Sequence, residues 1–367
     1  MVDEASPRAA RRSGHPSIVD VAEVAGVSAA TVSRSLRGHH NVTAATRSRV
    51  LEAARKLGYT VSPHASGLAS GRTSTVGIVV PFVNRWFFAN VVAAAYAVLR
   101  EASYDVLLYH LRSAADRERF FEQMPLARRV DAVLTLAMPL GENHMLALRA
   151  LDIPLVVLGD RVGGASSVRI DDVDVARAAV HHLLHQGHER IMLVTSPHND
   201  HDLGSVSSRN RIDGYRQAMS AAGFTRNEQV VAALGPGIEG GASTMAAVLA
   251  EPTLPTAIIA EYDELAIGAI RTLRRSSVAV PARMSMIGVD DHEMASVVDL
   301  TTIAQPVQAQ GRTAAQLLLD TIGGRLPAPV DVVLETQLVV RGSTGPPHAP
   351  TPRPRESGRT APRVGTD

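Results

Sequence analysis

Arg34 closes the run Ser28-Ala-Ala-Thr-Val-Ser-Arg34, in which small and hydroxyl side chains lead up to a single guanidinium. If the run is a short helix, Val32 and Leu36 face inward. Ser28, Ala29, Ala30, Thr31, Ser33 and Arg34 then project from the opposite face. An arginine presented in this way can donate two parallel hydrogen bonds to guanine O6 and N7. On these residues alone, an ordinary helical hairpin with solvated charges stands open beside the DNA-reading role.

Two further constellations carry chemistry on paper. Gly235-Pro-Gly-Ile-Glu-Gly240 satisfies G-x-G-x-x-G, follows an apolar run and precedes a helical stretch. That is the fingerprint of an NAD-dependent oxidoreductase. Pro236, however, sits where backbone would have to approach a pyrophosphate, and the motif falls in mid-chain rather than at a first βα unit. A plain loop is the better reading. His181, His182, His185 and His188 include pairs at metal-ligand spacing, but lack the acid or cysteine that usually completes a site. A solvated helix face is expected there, with no metal and no cofactor. H-E-x-x-H, Walker A and G-x-S-x-G are all absent, so hydrolase and NTPase readings have no anchor. The chain has no cysteine, which excludes disulfides, thiolate metal sites and cysteine nucleophiles.

The elements that must position Arg34 are sharply punctuated. Ser17-Ile-Val-Asp20 reads as a capping box, followed by an apolar face at Val21, Ala22 and Ala25. Gly26 breaks this helix, and Ser28 caps a second over 29–37, which Gly38 ends. Thr43 caps a third over 44–57, which Gly58 ends. Two short helices joined by a tight glycine turn, with a third in support, form a helix-turn-helix. Charge agrees. Residues 1–72 hold ten Arg/Lys against five acids, or +5, and the whole chain carries only +1, so the remainder is −4. A basic end on a slightly acidic body suits a polyanion-binding head.

At 367 residues the chain suits two or three domains. Residues 1–16 are expected to be a flexible tail, 17–60 the helix-turn-helix domain, 61–74 a linker, and 75–342 a large core. From Ser343 onward, six Pro and four Arg without an apolar period read as a disordered tail over 343–367. Within the core, apolar runs of strand length at 76–80, 106–109, 132–136, 155–158, 191–195, 257–260 and 284–289 alternate with helical stretches such as 88–102, 176–186, 211–222 and 263–275. Buried strands alternating with helices give an α/β fold with parallel sheets. About ten strands over some 270 residues suit two Rossmann-like lobes. Nothing at the N-terminus reads as a signal peptide, and no apolar run reaches the roughly 18–20 residues of a membrane helix. A cytoplasmic protein without membrane association is expected.

Asp20-Val-Ala-Glu-Val-Ala-Gly-Val-Ser-Ala-Ala-Thr-Val-Ser-Arg34, with Val42-Thr43 and residues 53–59, resembles the DNA-binding head of the LacI/GalR family of bacterial repressors. The resemblance continues from about Thr75 to Gly342. Its marks there are Asp160-Arg161, Asp171-Asp172, Gly187-His188-Glu-Arg-Ile191, Arg211-Ile-Asp-Gly-Tyr215, Asp263 with Ala266-Ile-Gly268, Gly288-Val-Asp-Asp291 and Leu300-Thr-Thr-Ile-Ala-Gln305.

The resemblance implies a helix-turn-helix head on a two-lobed, periplasmic-binding-protein-like core. It further implies a homodimer on double-stranded operator DNA and a small, sugar-like effector between the lobes. Lobe one would comprise about 75–170 and 292–325, and lobe two about 171–291 and 326–342. Ala29 and Ala30 would fill the family's variable base-reading positions, Arg34 its base-contacting position, and Asn41 would join them. The linker would act as a hinge helix, capped by Ser62, with His64 and Ala65 at the DNA and Leu68 wedged into the central minor-groove step. Val61-Ser62 and Gly67 depart from the family's hinge pattern, and glycine weakens a two-turn helix that is already marginal. Folding of this hinge only on DNA is expected. In the core, the implied effector contacts are Asn84, Trp86 and Phe87, then Asp160, Arg211, Tyr262, Asp290 and Gln305. Acids and Gln305 suit hydroxyl protons, Arg211 can donate in pairs, and Trp86 offers an apolar face to a sugar ring. A sugar-binding transport protein would share this core but needs an export signal and leaves the head unexplained.

Overall fold

The computed structural model describes residues 16–36, 41–59, 72–196, 206–227 and 229–347. The expected tail over 1–16 lies outside these apart from Pro16. The expected hinge helix over 61–74, with Ser62, His64, Ala65 and Leu68, lies outside them apart from residues 72–74. The chain divides into two compact units, Met1–Ser74 and Thr75–Asp367.

The first unit is built by its caps. Helix α1 (Ile18–Ala25) starts at Ser17, whose hydroxyl accepts from the Asp20 amide while Asp20 accepts from the Ser17 amide, and it stops at Gly26 in the left-handed conformation, φ 63°. Helix α2 (Ala29–Leu36) follows within three residues, and α3 (Ala44–Leu57) runs from a Thr43 cap to Gly58, φ 64°. Val21, Ala22, Ala25, Val32, Val50, Ala53 and Ala54 form one small buried cluster. A core this small depends on local satisfaction of helix ends, seen here at both ends of α1 and α3 and at the start of α2.

The second unit contains two six-stranded sheets. The first holds β1 (Thr75–Val80), β2 (Asp105–His110), β3 (Ala132–Leu136), β4 (Leu155–Leu158), β5 (Ser166–Arg169) and β11 (Asp331–Val333), ordered 2-1-3-4-5-11 and parallel throughout. The second holds β6 (Ile191–Thr195), β7 (Gln229–Ala232), β8 (Ala257–Ala260), β9 (Ser285–Asp290), β10 (Thr301–Ala304) and β12 (Gln337–Val339). Its order is 7-6-8-9-10-12, parallel except for the antiparallel edge strand β12. Both lobes thus repeat one doubly wound order, and in such sheets ligands bind beyond the carboxyl ends of the strands.

Helices cover the sheets: α4 (Trp86–Glu101), α5 (Ala114–Gln123) and α6 (Glu142–Arg149) precede β2, β3 and β4, and α7 (Asp172–His185) and α8 (Val206–Ala221) flank β6. Next come α9 (Gly237–Leu249), α10 (Asp263–Arg275), the short α11 (Glu293–Val297) and α12 (Val307–Ile322). No helix among the described residues is long and apolar enough to cross a membrane.

The lobe boundaries differ from expectation. Residues 292–304 belong to lobe two, because β10 is buried between β9 and β12 and needs both neighbours. Strand β11 belongs to lobe one, where Asp331 accepts from Ser167 Oγ (2.6 Å) and pairs with Arg169 (2.9 Å) beside β5. The chain therefore passes between lobes after β5, after β10 and after β11. The expected tail also starts too early. Ser343 is buried, its hydroxyl donating to the Met286 carbonyl (2.6 Å) and accepting from the Thr301 amide (2.7 Å). Residues 348–367 lie outside the described ones.

Glycine decides how closely α9 and α10 approach. A Cβ on Gly268 would lie 1.9 Å from the Ile238 carbonyl oxygen, and one on Gly241 would lie 2.1 Å from that of Leu265. Gly240, the last glycine of the G-x-G-x-x-G run, leaves room for the Gly235 carbonyl. The run is a helix-packing device. Gly268→Ala is expected to cost about 1–3 kcal/mol or more by forcing these backbones apart, read as a thermal melting point lower by several degrees. An unchanged melting point would contradict the close approach.

Candidate functional site

The DNA-facing candidates of the first unit are exposed or half-exposed. Ser28 accepts from the Thr31 amide (3.2 Å), with its hydroxyl 2.9 Å from that of Thr31, so it caps α2. Val32 is fully buried and Leu36 packs against the same cluster. Ala30, Arg34 and Asn41 are exposed, and Ala29, Thr31 and Ser33 are half-buried. Arg34 Nε donates only to the Ala30 carbonyl of its own helix (3.2 Å), a bond that keeps the guanidinium on the solvent face. Ser35 is buried and bonds back to the Thr31 carbonyl (2.8 Å).

In the second unit a cavity of about 100 Å³ lies between the lobes. Its walls are strand ends: Pro81 follows β1, Ala137 follows β3, Gly159 follows β4 and Ile170 follows β5. From lobe two, Ser196 follows β6, Glu261 follows β8, Asp290 ends β9, and Gln305 follows β10. Phe82, Phe87 and Phe88 add aromatic surface from lobe one and Tyr262 from lobe two.

Of the expected contacts, Phe87, Arg211, Tyr262, Asp290 and Gln305 line this cavity, and Asn84, Trp86 and Asp160 do not. Asn84 is exposed on the loop before α4. Asp160 stands one residue beyond the lining Gly159 and accepts from the Arg161 amide (2.7 Å); burial raises its pKa. Trp86 turns across to lobe two, its ring 4.9 Å from that of His292, and its indole nitrogen is buried without a hydrogen-bond partner. An aromatic face can stack on a ligand or on a neighbouring lobe, and the sequence does not distinguish the two. Asp172, Glu261, Glu264, Arg85, Ser196, Ser207 and Gln310 are lining residues that sequence reasoning did not place. Position directly after a buried strand would have found Ser196 and Glu261.

Arg211, in α8, is the electrostatic centre. Its Nε donates to Asp172 Oδ1 (2.8 Å) and its Nη1 to the Glu261 carbonyl. Burial works against its charge, but Asp172, Glu261 and Asp290 outweigh that and hold its pKa above the ordinary value. Glu261 in turn accepts from the Ser196 amide and the Ser208 hydroxyl. Asp290 sits at φ 125°, a conformation that only surrounding structure can impose on a residue with a side chain. It accepts from the Gln305 amide, and Gln305 accepts from Gln310 (2.8 Å), a chain that runs from β9 through the crossover to α12 of lobe one.

Burial pushes Asp290 up to about 7, against Arg211 and the Gln305 bond. Its neighbour Asp263, fully buried and held by Thr302 and the His292 amide, is also pushed up by burial and by Asp290. Glu264 is raised by burial, opposed by the Arg85 charge and the nearby Trp86 backbone N–H. The Arg85 guanidinium lies 3.7 Å over Phe82 and 5.5 Å over Tyr262.

The histidines are structural or solvated. His188 is buried, with Nε2 2.8 Å from the Gly345 carbonyl and Nδ1 3.0 Å from Thr256 Oγ1. No group of three or more metal-ligating side chains occurs among the described residues.

A capped helix-turn-helix on a two-lobed core, with a polar cavity at opposed strand ends, defines a ligand-responsive DNA-binding regulator. Residues 17–62 match the model for bacterial regulatory proteins of the lacI family, and residues 180–344 match that for a periplasmic binding protein-like domain. The regulator CelR of Thermobifida fusca is 32% identical over 343 residues, covering 90% of this chain and 99% of CelR. The repressor CytR of Escherichia coli strain K12 is 31% identical over 329 residues, 89% of this chain and 95% of CytR. Among solved structures, the lac repressor dimer bound to operator and an anti-inducer superposes with a TM-score of 0.79 at 26% identity, covering 90% of this chain and 100% of that one. A CelR–cellobiose complex gives 0.63 at 31% identity, covering 89% and 99%. The chain belongs to the LacI family of bacterial transcriptional regulators, and it is a regulator rather than an enzyme.

A carboxyl whose pKa rises on folding destabilises the folded state progressively as pH climbs from the unfolded value toward the folded one. The melting-point difference, Asp290→Asn minus parent, is therefore expected to be more positive at about pH 7.5 than at about pH 4.5. A difference that does not change with pH would contradict the buried, raised carboxyl.

Proposed function

We propose that this chain binds a pseudo-palindromic operator as a homodimer in the bacterial cytoplasm, and that a sugar-like effector held between the lobes sets its affinity. The observation that carries the reading is the cavity, with donors and acceptors converging from the carboxyl ends of both sheets and aromatic rings beside them. Polar edges with apolar faces suit a polyol ring. The cellobiose complex of CelR supports the same class.

In this reading, two α2 helices enter successive major grooves. Ser28, Ala29, Ala30, Thr31, Ser33, Arg34 and Asn41 face the DNA. Two alanines leave little hydrogen-bonding capacity, so recognition rests on methyl contacts, Arg34 and DNA shape. Residues Ser62, His64, Ala65 and Leu68 serve the central minor groove. Effector contacts are Phe87, Arg211, Tyr262, Asp290 and Gln305, joined by Asp172, Glu261 and Glu264. An effector that alters the lobe angle moves lobe one, whose first strand directly follows the linker. Coupling of about 1–3 kcal/mol would change operator affinity roughly 5–150-fold.

Selection of genomic fragments by the purified full chain, followed by sequencing, tests the reading. A pseudo-palindrome is expected, and one of a set of added mono- and disaccharides changes its occupancy. Arg34→Ala is expected to cost about 1–3 kcal/mol and relax preference at one base pair per half-site. Uniform weakening on every sequence would make Arg34 a phosphate contact. No enrichment over random fragments, with or without sugars, would overturn operator binding.

A further inference from the structure

The walls of the cavity are not charge-balanced. Four carboxylates line it (Asp172, Glu261, Glu264 and Asp290) and only two guanidiniums, Arg85 and Arg211, among the described residues. Arg211 alone is shared by Asp172, Glu261 and Asp290. Two of its five donors go to Asp172 and to the Glu261 carbonyl, and Glu261 also accepts from Ser196 and Ser208. Among the described residues Asp290 takes a hydrogen bond only from the neutral Gln305 amide and shares the Arg211 charge with two other acids. Glu264 has Arg85 as its opposing charge.

A buried carboxylate without a cation is costly, and it either takes up a proton or finds positive charge elsewhere. Neutral hydroxyls can donate to it but cannot cancel its charge. The aromatic walls point the same way, because ring faces attract cations. The Phe82 ring already carries the Arg85 guanidinium. At about 100 Å³ the cavity is small beside the roughly 300–1,000 Å³ of common ligand sites, so the ligand it fits with least opening has a single ring.

We propose that the effector is an amino sugar, a single polyhydroxylated ring whose ammonium group compensates the carboxylates of Asp290 and Glu264. This rests on the reading of the cavity as the site of a sugar-like effector. Hydroxyls of the ring meet Gln305, Arg211 and Asp172, while Phe87 and Tyr262 cover its apolar face.

Calorimetric titration of the full chain tests the proposal. The probes are D-glucosamine, D-galactosamine and D-mannosamine, each beside its parent hexose and its N-acetyl derivative. One amine is expected to bind at least about tenfold more tightly than both its neutral counterparts. Asp290→Asn and Glu264→Gln should each narrow that gap, read within the same variant as the ratio of amine to parent-hexose affinity. Melting curves check that each variant is folded, and either variant alone suffices to decide. A parent hexose or N-acetyl sugar that binds as tightly as its amine would overturn the amino-sugar assignment and leave the sugar site standing. A gap that persists in a folded variant overturns it equally. Failure of all nine compounds to bind would remove the sugar-effector reading together with this one.

Discussion

Arg211 is a buried guanidinium, and burial of a charge is tolerated only when partners surround it. Its partners arrive from three directions: Asp172 from the first turn of α7, Glu261 from the end of β8, and Asp290 from the end of β9. Loss of one partner from a buried pair commonly costs about 3–5 kcal/mol, because the other charge is left uncompensated. The ligand face of lobe two is therefore fixed as a unit. Even the backbone yields to it, since Asp290 adopts a positive φ to bring its carboxyl into the cluster. Gly288, two residues earlier, must lack a side chain because a Cβ would lie 2.0 Å from Asp263.

Lobe one meets this face through fewer and lighter contacts. Trp86 rests against His292, and Gln310 donates to Gln305. These groups lie at or beside the crossovers, where the chain changes lobes. A ligand that binds one lobe angle better than another shifts the population by that difference in affinity and by no more. A locked ionic cluster on one wall and a few separable contacts on the other are what the proposed change of lobe angle would need to leave the site intact.

Local signals were legible in the sequence and long-range ones were not. Ser17, Gly26, Thr43 and Gly58 announced the three head helices because capping depends on residues within one turn. The alternation of apolar runs gave the α/β class for the same reason. The lobe assignment of β10 and β11 escaped, since a three-residue strand such as Asp331–Val333 carries no pattern that names its partner. Family resemblance leads to Arg211 and Asp290, which line the cavity, and to Trp86, whose ring lies against His292 and does not line it. Ser343 was lost to the proline-rich composition that follows it, although its hydroxyl joins β9 to β10.

Coupling between the cavity and the DNA-binding head is the central claim, and thermodynamic reciprocity tests it in one measurement. The affinity of the effector is measured by calorimetry on the free full chain and again on the chain saturated with its operator. The expected change equals the factor by which effector alters operator affinity, within about 5–150-fold. Equal effector affinity in the presence and absence of operator would contradict it and would separate the cavity from control of DNA binding.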